Sequence, residues 1–376
     1  MTRPVERVLI IGGGFSGMSA AIELRKGGIA VDLVEIDSGW RSYGAGISLG
    51  GATLRAFRQL GILDEFLELG HAGDGVELYR ADGSLLGELP TPRLAGDDIP
   101  GGGAIMRPVL AAILANATRK SGTDVRLGCS FTSIKCDDNG VDVTFTDGQT
   151  RRYDLVVGAD GLYSAVRAVV FPDAARPTYT GQGVWRAVVP RLPSIKSAVM
   201  WIGPHLKAGV NPVSREQMYL FVTEDRAKNE RIEESEFLPL LRGLLTQFSA
   251  PDLAQIAEYI NESSHIVYRP LEGLLMAQPW FKDRVVLIGD TVHATTPHLA
   301  SGACIGIEDA IVLAEEISRD TPLDETLGRF QARRWERCRM VVENSARLGE
   351  IEISGGDKQE HAAIMRESLM KLAQTI

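Results

Sequence analysis

The chain of 376 residues has little of what would make it a secreted, metal-binding or nucleic-acid-binding protein. Its four cysteines, Cys129, Cys136, Cys304 and Cys338, are widely spaced and lack a C-x-x-C pair, which argues against both a disulfide framework and a zinc pattern. Four reduced thiols and no bound metal are expected. The six histidines contain no H-E-x-x-H, and the residues between His293 and His298 are Ala-Thr-Thr-Pro, with no carboxylate to complete a ligand set. A basic surplus is missing too, since the formal net charge is −9, so nothing is left over to neutralise nucleic-acid phosphates. No stretch approaches the about 18 consecutive apolar residues of a membrane-spanning helix. The opening MTRPVERVLII enters a strand almost at once, so a signal peptide is not expected. A cytoplasmic protein with no membrane and no nucleic-acid partner is expected. Internal repeats and low-complexity tracts are lacking as well.

What is present is an ordinary globular composition, 44% hydrophobic and 24% charged, with length enough for about two domains. The informative features are three separated segments rich in glycine and aspartate. The first is VLIIGGGFSGMSAAIELRKGGIAVDLVE. An apolar run, Val8 to Ile11, leads into Gly12, Gly14 and Gly17 in G-x-G-x-x-G spacing, with Phe15 and Ser16 in the variable places. An Ala-rich helical stretch and a second β-rich run follow. Gly12 permits a sharp turn out of the strand, Gly14 lets the backbone approach a pyrophosphate, and Gly17 lets the helix pack close to the sheet. The anion would face a helix N-terminus with its unpaired N–H groups. Glu35, at the end of the second strand, is placed to accept hydrogen bonds from ribose hydroxyls. A carboxylate there disfavours a 2′-phosphate, so the site suits FAD or NAD over NADP.

Further along, a helical stretch starts at Thr53, and residues 76–89 alternate around Asp82-Gly83 as a β-hairpin. Arg107 to Thr118 reads as a helix, Asp124 to Leu127 as a strand, and DLVVGADG as a buried strand entering a glycine turn. Between 176 and 270 come the short β-rich runs GVWRAVVPR, SAVMWIG and MYLFVTE, a mostly antiparallel sheet suited to walling a ligand cavity. RVVLIGDTVHATTP resumes the strand-to-turn pattern, and helices are predicted over Ala303 to Ser318, Leu327 to Leu348 and Lys358 to Ile376. The run RRWERCR in the second of these reads as a solvated face. The predicted domains are thus a discontinuous nucleotide-binding unit (1–75, 104–175 and 271–345), a substrate unit (76–103 and 176–270) and a C-terminal helical segment (346–376).

Taken in order, GGGFSG with Glu35, GADGLYSAVR, and GDTVHATTPHLASGACIGIEDA resemble the three signature regions of the single-component FAD-dependent aromatic hydroxylases. That family includes the para-hydroxybenzoate, salicylate and 3-hydroxybenzoate hydroxylases, and the resemblance spans most of the chain. It implies an α/β fold: a Rossmann-like FAD-binding domain with an inserted, mostly antiparallel β-sheet substrate domain and C-terminal helices. It also implies FAD as cofactor, NADH or NADPH as reductant, and O2 as co-substrate. The reaction implied is hydroxylation of a small phenolic or N-heteroaromatic, often carboxylated, compound by a flavin hydroperoxide. In the family's pattern Asp290 accepts hydrogen bonds from the ribityl hydroxyls of FAD. Ser301, Gly302 and Ala303 begin a helix whose N–H groups stabilise charge on the reduced flavin. Asp160 and Arg167, in D-G-x-x-S-x-x-R, bear on the FAD diphosphate and the nicotinamide, Arg107 contacts FAD, and Arg41 lies in a loop over the flavin. The chain departs from many relatives in reading Gly289-Asp290-Thr291-Val292-His293 for G-D-A-A-H.

For the chemistry, the pair Pro297-His298 resembles the salicylate hydroxylase version, which makes His298 the first candidate to accept a phenolic proton, with His205 the second. Trp185 and Arg186 are adjacent in a strand, so only one of them faces a cavity. An arginine there would hold a carboxylate, whereas a tryptophan would stack on a ring. Met218, Tyr219 and Phe221 are further wall candidates. An FAD oxidoreductase of the same fold without oxygen insertion, and a non-enzymatic flavoprotein redox sensor, remain alternatives. A halogenase is disfavoured because W-x-W-x-I-P is absent. A monomer or homodimer is expected.

Overall fold

The computed structural model describes residues 5–42, 44–319 and 321–376. The predicted start of the first domain, residues 1–4, lies outside them. Strand Arg7–Ile11 is buried on both faces after its first residue, as a parallel strand covered by helices must be. Ala30–Glu35 and Leu155–Gly158 flank it in parallel, and Asp124–Leu127 and Val285–Leu287 extend the sheet outward. A short antiparallel edge, Phe281–Lys282, completes the six strands. Ile11 pairs with Gly158, and Gly158 with Leu287. The chain therefore leaves the sheet at Gly12, Ala159 and Ile288 on one edge, the carboxyl ends of parallel strands, where open α/β sheets bind ligands. Three motifs far apart in sequence are gathered there by register.

Close packing depends on two glycines of the first motif. Gly12 has φ +109°, and a Cβ on it would overlap the backbone of Ala159. A Cβ on Gly17 would overlap the carbonyl of Gly12. Helix Phe15–Lys26 then crosses helix Gly302–Ile317, and the Ser16 side chain fills the gap between Gly289 and Gly306, where a Cβ on either glycine would collide with it.

The second large sheet has seven strands: Ile266–Gly273, Thr178–Pro190, Gln217–Asp225, Leu206–Pro212, Ala198–Ile202, Val76–Arg80 and Leu85–Leu89. All its pairings are antiparallel except Ala198–Ile202 with Val76–Arg80. Its back face carries Trp185, Trp201, Met218, Leu220 and Val222 into a core with helices Phe237–Leu245 and Pro251–Tyr259. Its front faces the nucleotide-binding unit. A small sheet of Gly46–Gly50, Gly102–Met106 and His71–Gly73 stands between the two.

Three expectations need correction. The helix expected from Thr53 is two, Gly51–Leu60 and Leu63–Leu69, because Gly61 adopts φ +82° and ends the first in a left-handed cap. A boundary at 346 falls inside one unbroken helix, Leu323–Ser354, and the chain turns only at Gly355, φ +62°. RRWERCR is not a solvated face: Arg334 and Cys338 are completely buried, because the acidic residues of helix Gly302–Ile317 supply partners inside the protein.

Candidate active site

A cavity of about 1190 Å³ runs from the three motifs to the front of the seven-stranded sheet. That exceeds the roughly 300–1,000 Å³ of a typical single-ligand pocket, so it can hold a dinucleotide and a second small molecule. Gly14 opens on to it, with nothing within 4 Å of where a Cβ would stand. Helix Phe15–Lys26 has no acidic residue in its first turn and no side-chain cap, so its leading N–H groups stay available to an anion. Glu35 lines the same wall, its carboxylate fixed by the N–H groups of Gly13 (2.7 Å) and Asp37 (2.8 Å). These features fit an FAD pyrophosphate and ribose.

At the other end of this cradle, Gly289, with φ +65°, turns the chain so that Asp290 points into the cavity. Surrounding protein pushes the Asp290 carboxyl upward, and His293 and Arg107 oppose that rise. The residue is nonetheless exposed on its cavity side, and it has no hydrogen-bond or ion-pair partner among the described residues. A carboxylate that faces the cavity without a protein partner can accept from ligand donors, and ribityl hydroxyls fit. Ser301, Gly302 and Ala303 line the cavity at the start of the next helix, which also lacks a first-turn acid; the Ser301 hydroxyl is turned away to the carbonyl of Leu299 (2.7 Å). Arg107 stands beside them with its guanidinium 5.1 Å over the Phe15 ring.

Two expected cofactor contacts are placed differently. Asp160 caps helix Ala165–Val170, accepting from the N–H groups of Ala165 (2.8 Å) and Val166 (3.0 Å) and from the Ser164 hydroxyl. Helix capping satisfies that carboxylate within the chain, and the residue does not line the cavity. Arg167 donates to the carbonyls of Thr291 (2.6 Å) and Leu162 (2.7 Å), stitching the middle motif to the late one. Thr291, a departure from the family's alanine, uses its hydroxyl to accept from the Gly161 N–H (3.2 Å). Arg41 reaches the rim, but its side chain is 61% exposed and its guanidinium is held by Asp37 (2.8 Å).

On the sheet front, strand alternation brings Arg186, Tyr219 and Phe221 to the cavity. Arg186 has no hydrogen-bond or ion-pair partner among the described residues. The Tyr219 and Phe221 rings lie 5.8 Å apart, lodged over Gly46 and Gly209, where a Cβ would collide with each. Trp185 and Met218, expected in the wall, lie in the core behind the sheet with no exposed surface. Alternation sends them to the opposite face, and Trp185 there donates to Glu224 (2.9 Å) and packs edge-on to Phe237.

His298 and His205 both border the cavity, and each also faces a partner within the protein. His205 is 69% exposed, 3.6 Å from Asp225 at the cavity mouth. The His298 side chain is only 2% exposed, wedged against Gly349 of the long helix, and it lines the cavity together with neighbouring Pro297. Its Nδ1 is paired with the Thr296 hydroxyl (2.8 Å), and its Nε2 lies 3.4 Å from Glu352. Burial lowers its basicity, with Glu352 opposing. Glu352 also receives Lys207 (2.7 Å) and His361 (3.2 Å). Burial favours its acid form, but Lys207 and the two histidines hold the carboxyl far below its usual range. Glu352, Lys207 and His361 were not visible as site residues in the sequence, because they come from two helices and a strand with no motif among them.

Beneath the flavin cradle is a buried ionic cluster. Asp309 accepts from the Gly289 N–H (2.9 Å) and Arg334 (2.8 Å) and pairs with His293 (2.6 Å). Burial disfavours its charge, but His293 and Arg334 lower the carboxyl to about 2. Burial likewise opposes a charged His293, yet Cys338 and Asp309 raise it well above the ordinary value. His293, Asp309 and Cys338 bring ligand-type atoms within 4.8 Å of one another, but the Arg334 guanidinium already supplies the cation. The cluster fixes the turn that aims Asp290.

Comparison with known proteins agrees with this geometry. The FAD binding domain family matches residues 6–345. The chain is 36% identical over 354 residues to the 2-heptyl-3-hydroxy-4(1H)-quinolone synthase of Pseudomonas aeruginosa, covering 92% of this chain and 90% of that one. It is 28% identical to the 3-hydroxybenzoate 6-hydroxylase of Polaromonas naphthalenivorans, covering 92% and 87%. Its fold matches that of Klebsiella pneumoniae HpxO, solved with FAD and uric acid, at a TM-score of 0.81 and 22% identity over 98% of this chain and 93% of that one. The chain belongs to this family of FAD-binding proteins. More narrowly, it is a flavin-dependent monooxygenase of the single-component aromatic hydroxylase group. Among the described residues no helix is long and apolar enough to cross a membrane.

Proposed function

We propose that the protein hydroxylates a small phenolic or N-heteroaromatic compound held between the flavin cradle and the front of the seven-stranded sheet, spending NAD(P)H and O2. Support comes above all from one continuous cavity that joins Gly14, Glu35 and Asp290 to Arg186, Tyr219 and Phe221. Bound FAD supplies the reducing equivalents and the oxygen activation. The chain's own tasks are to orient the ring, exclude water and manage charge. Tyr219 and Phe221 offer a platform for an aromatic face, and Arg186 offers an unpaired guanidinium to an anionic or carbonyl oxygen on the ring. His298, fixed by Thr296, acts as a positioning residue for the loop that carries Pro297. The relatives named for a quinolone and a hydroxybenzoate bracket the ring chemistry.

We place the enzyme in the cytoplasm as a monomer or homodimer, with no membrane or nucleic-acid partner. In the test, purified holoenzyme is given quinolones and hydroxybenzoates while NADH or NADPH oxidation is followed and products are weighed. A product heavier by one oxygen atom is expected. Hydrogen peroxide formed in proportion to reductant with every compound would overturn oxygen insertion and leave a flavin oxidoreductase.

A further inference from the structure

The front face of the seven-stranded sheet is not uniform. Its central strands present Arg186, Tyr219, Phe221 and Lys207 to the cavity. Toward the edge the character changes. Met200 pairs in register with Leu78 and Ala198 with Val76, Val76 in turn pairs with Leu89, and Ile202 lies on the same face. Their alternate neighbours Val199, Trp201 and Tyr79 pack into the core behind. Val76, Leu78, Leu89, Met200 and Ile202 take part in none of the hydrophobic clusters, although they line the cavity and are at most partly covered. Leu86 continues the strip at the rim, 44% exposed.

Aliphatic side chains on a sheet face normally pack against another layer. Here they face the same continuous space that receives the ring, and charge flanks the strip at Ile202, whose in-register neighbours are Lys207 and Arg80. Met365, Leu369 and Leu372 of helix Lys358–Ala373 add apolar surface elsewhere on the cavity wall, alongside Lys358 and His361 of the same helix.

We propose that this strip is a subsite for an aliphatic chain carried by the aromatic substrate, so that the enzyme's substrate is an alkyl-substituted ring and not a bare ring acid. The inference rests on the hydroxylase reading only in taking the ring to lie at Tyr219 and Phe221. Burial of each methylene then tightens binding by up to about fourfold, until the chain reaches the rim at Leu86.

The test is a titration of the holoenzyme with two ring series, 4-alkylphenols and 2-alkyl-4-quinolones bearing methyl, pentyl and heptyl chains, read by perturbation of flavin absorbance. The dissociation constant is expected to fall at least about tenfold from methyl to heptyl in one series. Leu78→Asn and Met200→Asn should each flatten that gradient, and flavin content and visible spectrum report whether each variant has folded. Leu85→Asn, at a position 61% exposed and outside the cavity, should keep the gradient. Affinity independent of chain length in both series would overturn the proposal, as would a gradient lost in Leu85→Asn and kept in the other two, which would mark surface adsorption. Since binding is read without turnover, a gradient with no oxygenated product would retain the subsite and reject the reaction.

Discussion

The Lys207 ammonium lies 2.7 Å from Oε1 of Glu352, tying the inserted sheet to the long helix Leu323–Ser354. Glu352 is charged in the folded protein well below the pH at which a free glutamate protonates. A depressed carboxyl contributes stability that is present above its unfolded value, near 4.5, and is lost as pH falls further. The melting temperature of Glu352→Gln should therefore trail wild type most at neutral pH. The gap should close below about pH 4.5 in thermal unfolding curves. A constant gap across that range would show that the carboxylate's charge is not what matters.

Gly14 tests the cradle separately from the fold. Because its Cβ position is empty space, Gly14→Val should fold while its new side chain blocks the approach of a pyrophosphate. Flavin affinity should drop about tenfold or more, equivalent to at least about 1.4 kcal/mol, with far-ultraviolet circular dichroism unchanged. Gly17→Val, which collides with the Gly12 carbonyl, should instead lower soluble yield.

Trp185 and Arg186 are neighbours that should fail in different ways. Trp185→Ala removes a ring with no exposed surface and should cost about 3–5 kcal/mol in denaturant unfolding. Arg186→Lys keeps the charge but loses the planar fork, so KM for an anionic ring substrate should rise about tenfold with little change in unfolding. Equal effects on both measurements from either variant would contradict the assignment of the two faces.

Asp309→Asn leaves Arg334 buried without its full counter-charge. It should destabilise the protein by about 3–5 kcal/mol and loosen flavin through the turn at Gly289. His293, raised above 6.5, contributes stability that is complete below that value and fades as pH climbs through its folded one. Wild type should therefore lose stability on the alkaline side, and the variant should show a shallower slope in urea titrations as pH rises above 6.5.

Much of this architecture was legible in the chain. The G-x-G-x-x-G unit, the hairpin around Asp82-Gly83 and the strand into Gly289-Asp290 are local signals, in which glycine positions and apolar runs follow backbone geometry directly. Which face a strand residue takes was not. Trp185 and Arg186 alternate whatever the fold, but only the placement of helices Phe237–Leu245 and Pro251–Tyr259 behind the sheet decides which is inside. The Glu352 cluster was hidden for a different reason, since Lys207, His298, Glu352 and His361 meet through tertiary packing alone. Arg334 was misjudged because a charge run reads as solvated unless its buried acids, here Glu308 and Asp309, are known to face it.

Because cofactor and ring share one undivided chamber, the guest itself has to finish the enclosure. If the proposed subsite holds the substrate's chain, a ligand too short to reach Leu86 would leave water along the outer strands, and more of the reductant would be spent on peroxide than on product. The fraction of turnovers wasted is then expected to rise as the occupant shortens.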